Sequence, residues 1–190
     1  MQLFLTRVPS FVQSCMSSFT WVQDSGKPLL TFDDGPHPET TPWILEYLEG
    51  RGIKAMFFVL GVNVELYPNL FDEIIDRGHM VGNHGYEHLS GWKLSVDRYK
   101  RNVERGAEIS GSNIFRPPYG QIGYRQYQSI KEMHQVMMWS VMPGDFVEDI
   151  EVEQRMCKVN NSLSSVDIIV LHDNPRHFQT MKEMLSKLEV

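Results

Sequence analysis

Uninterrupted apolar runs alternate along this chain with segments whose apolar positions recur every three or four residues, and that alternation predicts the fold. Leu29-Leu30-Thr31-Phe32 stops at Asp33-Asp34-Gly35-Pro36 and reads as a buried strand ending in a tight turn. Thr40 or Thr41, with Pro42 in the first turn, opens a helix that carries Ile44, Leu45, Tyr47 and Leu48 and stops at Gly50 and Gly52. Lys54 to Leu60 reads as a second strand, Pro68 to Arg77 as a helix ended by Gly78, and Met80 to Asn83 as a short third strand. Ser95 to Ile109 is an amphipathic helix with Val96, Tyr99, Val103 and Ala107 on one side. Ile114-Phe115 is a brief strand cut off by Pro117-Pro118, and Tyr124 to Met133 a helix. Val136 to Val141 then reads as a strand, Val152 to Leu163 as a helix, Asp167 to Leu171 as the last strand and about Phe178 to Leu188 as the final helix.

Most of these strands are apolar throughout, which is the mark of a parallel sheet covered by helices. Six or seven strand–helix units in 190 residues predict an α/β domain built as an incomplete or irregular α/β barrel, with an open doubly wound sheet as the alternative. Residues 27–190 form this domain; residues 1–26 read as an arm that packs on it through Phe11, Phe19, Trp21 and Val22. The net charge of −6, from 18 basic and 24 acidic residues, argues against nucleic acid or an anionic membrane as the main partner. The chain has no transmembrane span, and Arg7 and Pro9 interrupt the apolar start too early for a good signal peptide. A cytoplasmic monomer is the default expectation, with export or envelope association as the alternative. Cys15 and Cys157 lack zinc or redox spacing and read as two buried free thiols, with a disulfide between them as the alternative.

The chemistry gathers at the ends of the strands. Asp33 and Asp34 end the first, His84 follows the third, Arg116 the fourth, and His172 the last, while Asp145 follows the Val136–Val141 run after a Met-Pro-Gly turn. In a parallel α/β fold these ends share one face, where such folds place their sites. Adjacent carboxylates repel and call for a cation or a proton between them. His84 and His88 are four residues apart, so a helical turn would bring both rings to one side. Two imidazoles with a carboxylate form a ligand set for Zn²⁺ or a similar divalent ion. His37, His79, His134 and His177 lack such company and read as surface or capping groups, with His37 near enough to line the cleft.

Taken in order, TFDDGP at Thr31–Pro36, HxxxH at His84–His88, RPPYG at Arg116–Gly120, Asp145-Phe146 and LHD at Leu171–Asp173 resemble the five motifs of the polysaccharide deacetylases, the NodB-like carbohydrate esterase family 4. The resemblance runs from about Lys27 to the C-terminus. It implies a distorted, incomplete (β/α) barrel of NodB type and one divalent metal, Zn²⁺ first and Co²⁺ or similar next, on Asp34, His84 and His88, supporting removal of acetyl groups from amino sugars or sugar esters. It makes Asp33 the general base, the backbone N–H of Tyr119 an oxyanion donor and His172 the acid that protonates the leaving amine. Arg116 would hold Asp33, Asp145 would orient His172 and raise its pKa, and Leu171 would help form the acetyl-methyl pocket. The chain departs from the family pattern at Phe146, where Trp is common, and at the apolar Val141-Met142-Pro143-Gly144, which bears on substrate preference. Expected substrates are acetylated glycans, N-acetylglucosamine of peptidoglycan or chitin-type oligomers first. An O-acetyl esterase of xylan type and a non-catalytic carbohydrate-binding protein are the alternatives.

Overall fold

The computed structural model describes residues 5–24, 26–147 and 151–190; the first four residues of the expected arm, and residue 25, fall outside them. Six strands form one sheet: β1 (Leu29–Asp33), β2 (Met56–Val59), β3 (Met80–Asn83), β4 (Ile114–Phe115), β5 (Gln135–Val136) and β6 (Ile168–His172). All pairings are parallel, in the order β5-β4-β3-β2-β1-β6. That is the order of a barrel cut between β5 and β6. Every residue of β1 and β2 is buried, because helices cover one face and the curled sheet encloses the other.

The helices are α1 (Ser10–Cys15), α2 (Thr41–Glu49), α3 (Gly61–Leu66), α4 (Pro68–Asp76), α5 (Val96–Ser110), α6 (Tyr124–Ile130), α7 (Val152–Asn160) and α8 (Phe178–Lys187). Phe32, Phe57, Val59, Ile169 and Leu171 meet Ile44, Leu45, Leu48, Ile74, Met181 and Leu185 in the main core between sheet and helices. Inside the curl the fit is tight. A Cβ on Gly82 would lie 2.5 Å from the Phe58 ring, so only glycine lets β3 pass there.

The expected strand Val136–Val141 is split. Gln135 and Val136 pair with β4, whereas Val141 bridges Ile169 of β6 at the opposite edge of the sheet. The intervening residues therefore cross the gap of the cut barrel and bring its two edges together. The arm runs along this crossing: Val8 N–H donates to Ser140 O at 2.9 Å, and Met138 N–H to Thr20 O at 2.7 Å. The Arg7 guanidinium grips Asp167 through two bonds of 2.8 and 2.7 Å. Phe19 and Trp21 pack beside Tyr99, Phe115 and Met138, while Phe11 and Val22 stay exposed. Helices α1 and α3, of six residues each, were too short to read from periodicity. Both cysteines are free as expected but exposed rather than buried, since each lies on the solvent side of its helix.

His79 and His134 are buried, not surface groups. His79 Nδ1 accepts the Ala55 N–H at 3.2 Å and its ring stands edge-on to Phe57, so the imidazole completes the backbone bonding where β2 begins. Burial, helped by Lys54 and Arg77, holds its pKa down to about 4. A group that binds its proton less well folded than unfolded lowers stability as pH falls below its unfolded value near 6.5. We therefore expect the melting temperature of the metal-free protein to drop between pH 6.5 and 4. His79→Gln should lessen that dependence in a calorimetric pH series.

Candidate active site

The C-terminal ends of the strands open into a cleft of about 550 Å³ lined by Asp33, Asp34, His84, His88, Tyr119 and His172, with Trp139, Met142, Phe146 and Val170 as its apolar walls. Asp33 is the last residue of β1 and pairs in register with His172 at the end of β6, so the sheet itself sets these two groups side by side.

Asp33 is held from below. Arg116, fully buried, donates from one terminal nitrogen to Asp33 Oδ1 and to the Thr31 hydroxyl, both at 2.7 Å. Its remaining donors reach Met137 O at 3.3 Å and Met138 O at 2.9 Å, and Phe58 lies 3.8 Å beneath the guanidinium. The carbonyl of Arg116 accepts from His84 Nδ1 at 2.9 Å. That bond places the ring proton on Nδ1 and leaves Nε2 bare, facing Asp34 Oδ1 at 3.6 Å. Burial pushes His84 down to about 4, with the pull of Asp33 and Asp34 too weak to reverse it, so the ring is a neutral donor at physiological pH.

Asp34 sits at φ 82°, in the left-handed region that carboxylate side chains tolerate better than most. Its carbonyl accepts from Asn63 Nδ2 at 2.7 Å and its Oδ2 from Asn174 Nδ2 at 3.1 Å. Its Oδ1 is buried with no hydrogen-bond partner, and it points at His84 and at His88 Nε2, 3.3 Å away. Burial raises the pKa of this carboxyl, but His84, His172 and His88 outweigh it, and the net shift is downward. A bare, ionised oxygen facing two imidazole nitrogens is costly without a cation. One ligand atom from each of Asp34, His84 and His88 lies within 4.8 Å of the others, a donor set that suits Zn²⁺ or a similar ion.

The HxxxH segment is not helical. His84 to His88 forms a loop in which Gly85, at φ 90°, donates to Asn83 Oδ1, and Asn102 of α5 bonds the backbone of Glu87 twice. The ring centroids still come within 5.1 Å of each other. Tyr119 is also at positive φ, 59°, and its exposed ring stands 4.4 Å from His88.

Across the cleft, Asp145 binds His172 twice, accepting from Nδ1 and from the backbone N–H, each at 2.8 Å. Burial alone would lower the His172 pKa; the charge and hydrogen bond of Asp145, with Asp34 and Asp33, raise it to about 9. The Phe146 ring stands edge-on to His172 at 5.2 Å. His37 and His177 both line the cleft, half-buried, which for His177 differs from the surface role expected of it. Leu171 does not line the cleft. Side chains alternate along β6, so with His172 and Val170 facing the cleft, Leu171 points into the main core. Asn63, Asn174 and the buried Asp173 complete the surroundings of Asp34; none drew attention in the sequence beyond the place of Asp173 in LHD.

A curled parallel half-barrel with a divalent-metal donor set, a carboxylate beside it and a protonated imidazole opposite defines a hydrolase cleft. The family model described as polysaccharide deacetylase matches residues 23–137, and this chain belongs to that family. It is 32% identical over 187 residues to a peptidoglycan-N-acetylglucosamine deacetylase of Bacillus cereus, covering 94% of this chain and 68% of the relative. Over 150 residues it is 35% identical to the peptidoglycan-N-acetylmuramic acid deacetylase PdaC of Bacillus subtilis, covering 76% of this chain and 32% of that protein. The crystal structure of a peptidoglycan N-acetylglucosamine deacetylase bound to an N-hydroxybenzamide superposes with a TM-score of 0.81 at 27% identity, over 95% of this chain and 90% of the other.

Arg116 and Asp33 form a buried pair in which neither charge has water to fall back on. Removing one partner of such a pair typically costs about 3–5 kcal/mol. Arg116→Met should destabilise the fold by about that amount in urea titration, and Asp33→Asn by less, since its amide keeps an acceptor for the guanidinium.

Proposed function

We propose that this chain removes acetyl groups from N-acetylated sugars of a linear glycan, N-acetylglucosamine of peptidoglycan or chitin-type polymers first. The observation that carries the reading is the unpartnered Asp34 Oδ1 facing two imidazoles, with Asp33 beside it and His172 opposite. Asp34, His84 and His88 would hold the metal, Zn²⁺ first and Co²⁺ as an alternative. A divalent ion supplies a water of lowered pKa and polarises the acyl oxygen.

The chain's own residues do the rest. Asp33, kept oriented by Arg116, takes the proton of the attacking water. The Tyr119 N–H donates to the oxygen that gains charge as the carbonyl carbon becomes tetrahedral. His172, held protonated by Asp145, gives its proton to the amine nitrogen as the C–N bond breaks. An amine leaves poorly without that proton, which is why a histidine with its pKa raised to about 9 favours an amide over an ester as the substrate. Val170, Trp139, Met142 and Phe146 supply apolar wall for the acetyl group. Residues 27–190 constitute the catalytic unit, and the arm straps the crossing that closes the sheet. Among the described residues no helix is long and apolar enough to cross a membrane.

Acetate release from N-acetylglucosamine oligomers and from peptidoglycan tests the reading: it should stop with a chelator and return with Zn²⁺ or Co²⁺. Asp33→Asn should keep the metal and lose roughly 10²- to 10⁴-fold in rate. Metal-replete Asp33→Asn with full activity would move the base elsewhere.

His172 separates amide from ester. His172→Ala should cripple N-deacetylation far more than hydrolysis of an activated acetate ester by the same protein, because only the amine needs the acid. In the wild type the rate should fall as pH rises past about 9, where His172 loses its proton. Asp145→Asn, which removes the charge that raises that pKa, should move the fall to lower pH. An unmoved basic limb would exclude His172 as its source.

A further inference from the structure

Asp173 follows the proposed acid His172, is 1% exposed, and takes no part in the reaction as described. Its two carboxyl oxygens accept the hydroxyls of Thr40 and Thr41, the latter at 2.5 Å, and its own N–H donates to Asp33 O at 2.7 Å. Thr40 is the residue before α2 and Thr41 its first; neither hydroxyl is spent on capping the helix, and the Thr41 hydroxyl also accepts the His37 N–H at 2.7 Å. A Cβ on Gly35 would lie 2.1 Å from Asp173 Oδ2, so the carboxyl is pressed against the residue that follows Asp34 and only glycine leaves room for it.

On the other side of the same turn, Leu60 N–H donates to Gly35 O at 2.9 Å and Asn63 holds the Asp34 carbonyl. The left-handed backbone of Asp34 is thus clamped between α3 and its preceding residue on one side and Asp173 on the other. The next residue, Asn174, bonds Asp34 Oδ2, so the position of Asp173 also sets that contact. Burying a carboxyl is a poor route to stability when an apolar side chain could fill the space. Its geometry fits the placing of a neighbour.

We propose that Asp173 is a positioning residue: held by the Thr40 and Thr41 hydroxyls and pressed against Gly35, it fixes the Asp33-Asp34-Gly35 turn, aims Asp34 Oδ1 at His84 and His88, and so sets the affinity for the divalent ion. This rests on the metal site proposed above. Residues that orient metal ligands typically contribute 10- to 100-fold in affinity.

The test is Zn²⁺ affinity by competition with a chromophoric chelator, with the visible spectrum of the Co²⁺-loaded protein as a report on ligand geometry. Asp173→Ala should weaken Zn²⁺ binding by roughly 10- to 100-fold and alter the Co²⁺ bands. Asp173→Asn, which can still accept one threonine hydroxyl and bond the other, should stay close to wild type. Folded Asp173→Ala with unchanged Zn²⁺ affinity and Co²⁺ spectrum would overturn the proposal, even if its melting temperature fell. If Asp173→Ala does not fold, Thr40→Val decides: weakened binding that Asp173→Asn does not share supports the role, and wild-type binding overturns it. A wild-type protein that binds neither ion is a different failure, that of the metal site itself.

Discussion

The cleft depends on one buried cation. Arg116 spends its donors on Thr31, Asp33 and two carbonyls of the chain that crosses the open side of the barrel, while its own carbonyl sets the tautomer of His84. A guanidinium cannot be deprotonated away, so once buried it dictates where a carboxylate must sit. It therefore fixes the carboxylate proposed as base, one imidazole of the metal set, and the path of residues 137–138 at once. The arm and Val141 complete the same crossing from outside, which ties the closure of the sheet to the geometry of the cleft.

Two histidines in this cleft, His84 buried and His172 partly open to it, are driven in opposite directions. His84 bonds a neutral carbonyl through Nδ1 and is pushed to about 4; His172 bonds a carboxylate through the same atom and is raised to about 9. Near neutral pH the first is a lone-pair donor and the second a proton donor. The difference lies in what stands behind each ring, Arg116 O or Asp145, and it separates the side of the cleft proposed to hold the metal from the side proposed to supply the acid.

Much of this was legible in the sequence because parallel strands buried on both faces leave continuous apolar runs. The limits of Met80–Asn83 and Ile114–Phe115 were read as they stand in the structure, and the helix read over Ser95–Ile109 lies one residue further on, at Val96–Ser110, with Ser95 as its N-cap. What escaped depends on distant partners. Val136–Val141 looks like one strand, yet its two halves pair with opposite edges of the sheet. The spacing of His84 and His88 brought them together, but through a glycine loop fastened by Asn83 and Asn102 rather than a helical turn. Leu171 was placed by motif in the acetyl pocket, and strand alternation turns it into the core. Asp173 and Asn174 act on Asp34 from 139 and 140 residues away, and nothing local announces that contact.

The central claim is that Asp34, His84 and His88 form the metal centre of this cleft, and crystallography with Zn²⁺ tests it most directly. Data collected on either side of the zinc absorption edge should place one anomalous peak between Asp34 Oδ1 and the Nε2 atoms of His84 and His88, at about 2.0–2.2 Å from each. Zinc bound elsewhere, or a cleft left empty at saturating Zn²⁺, would contradict the account.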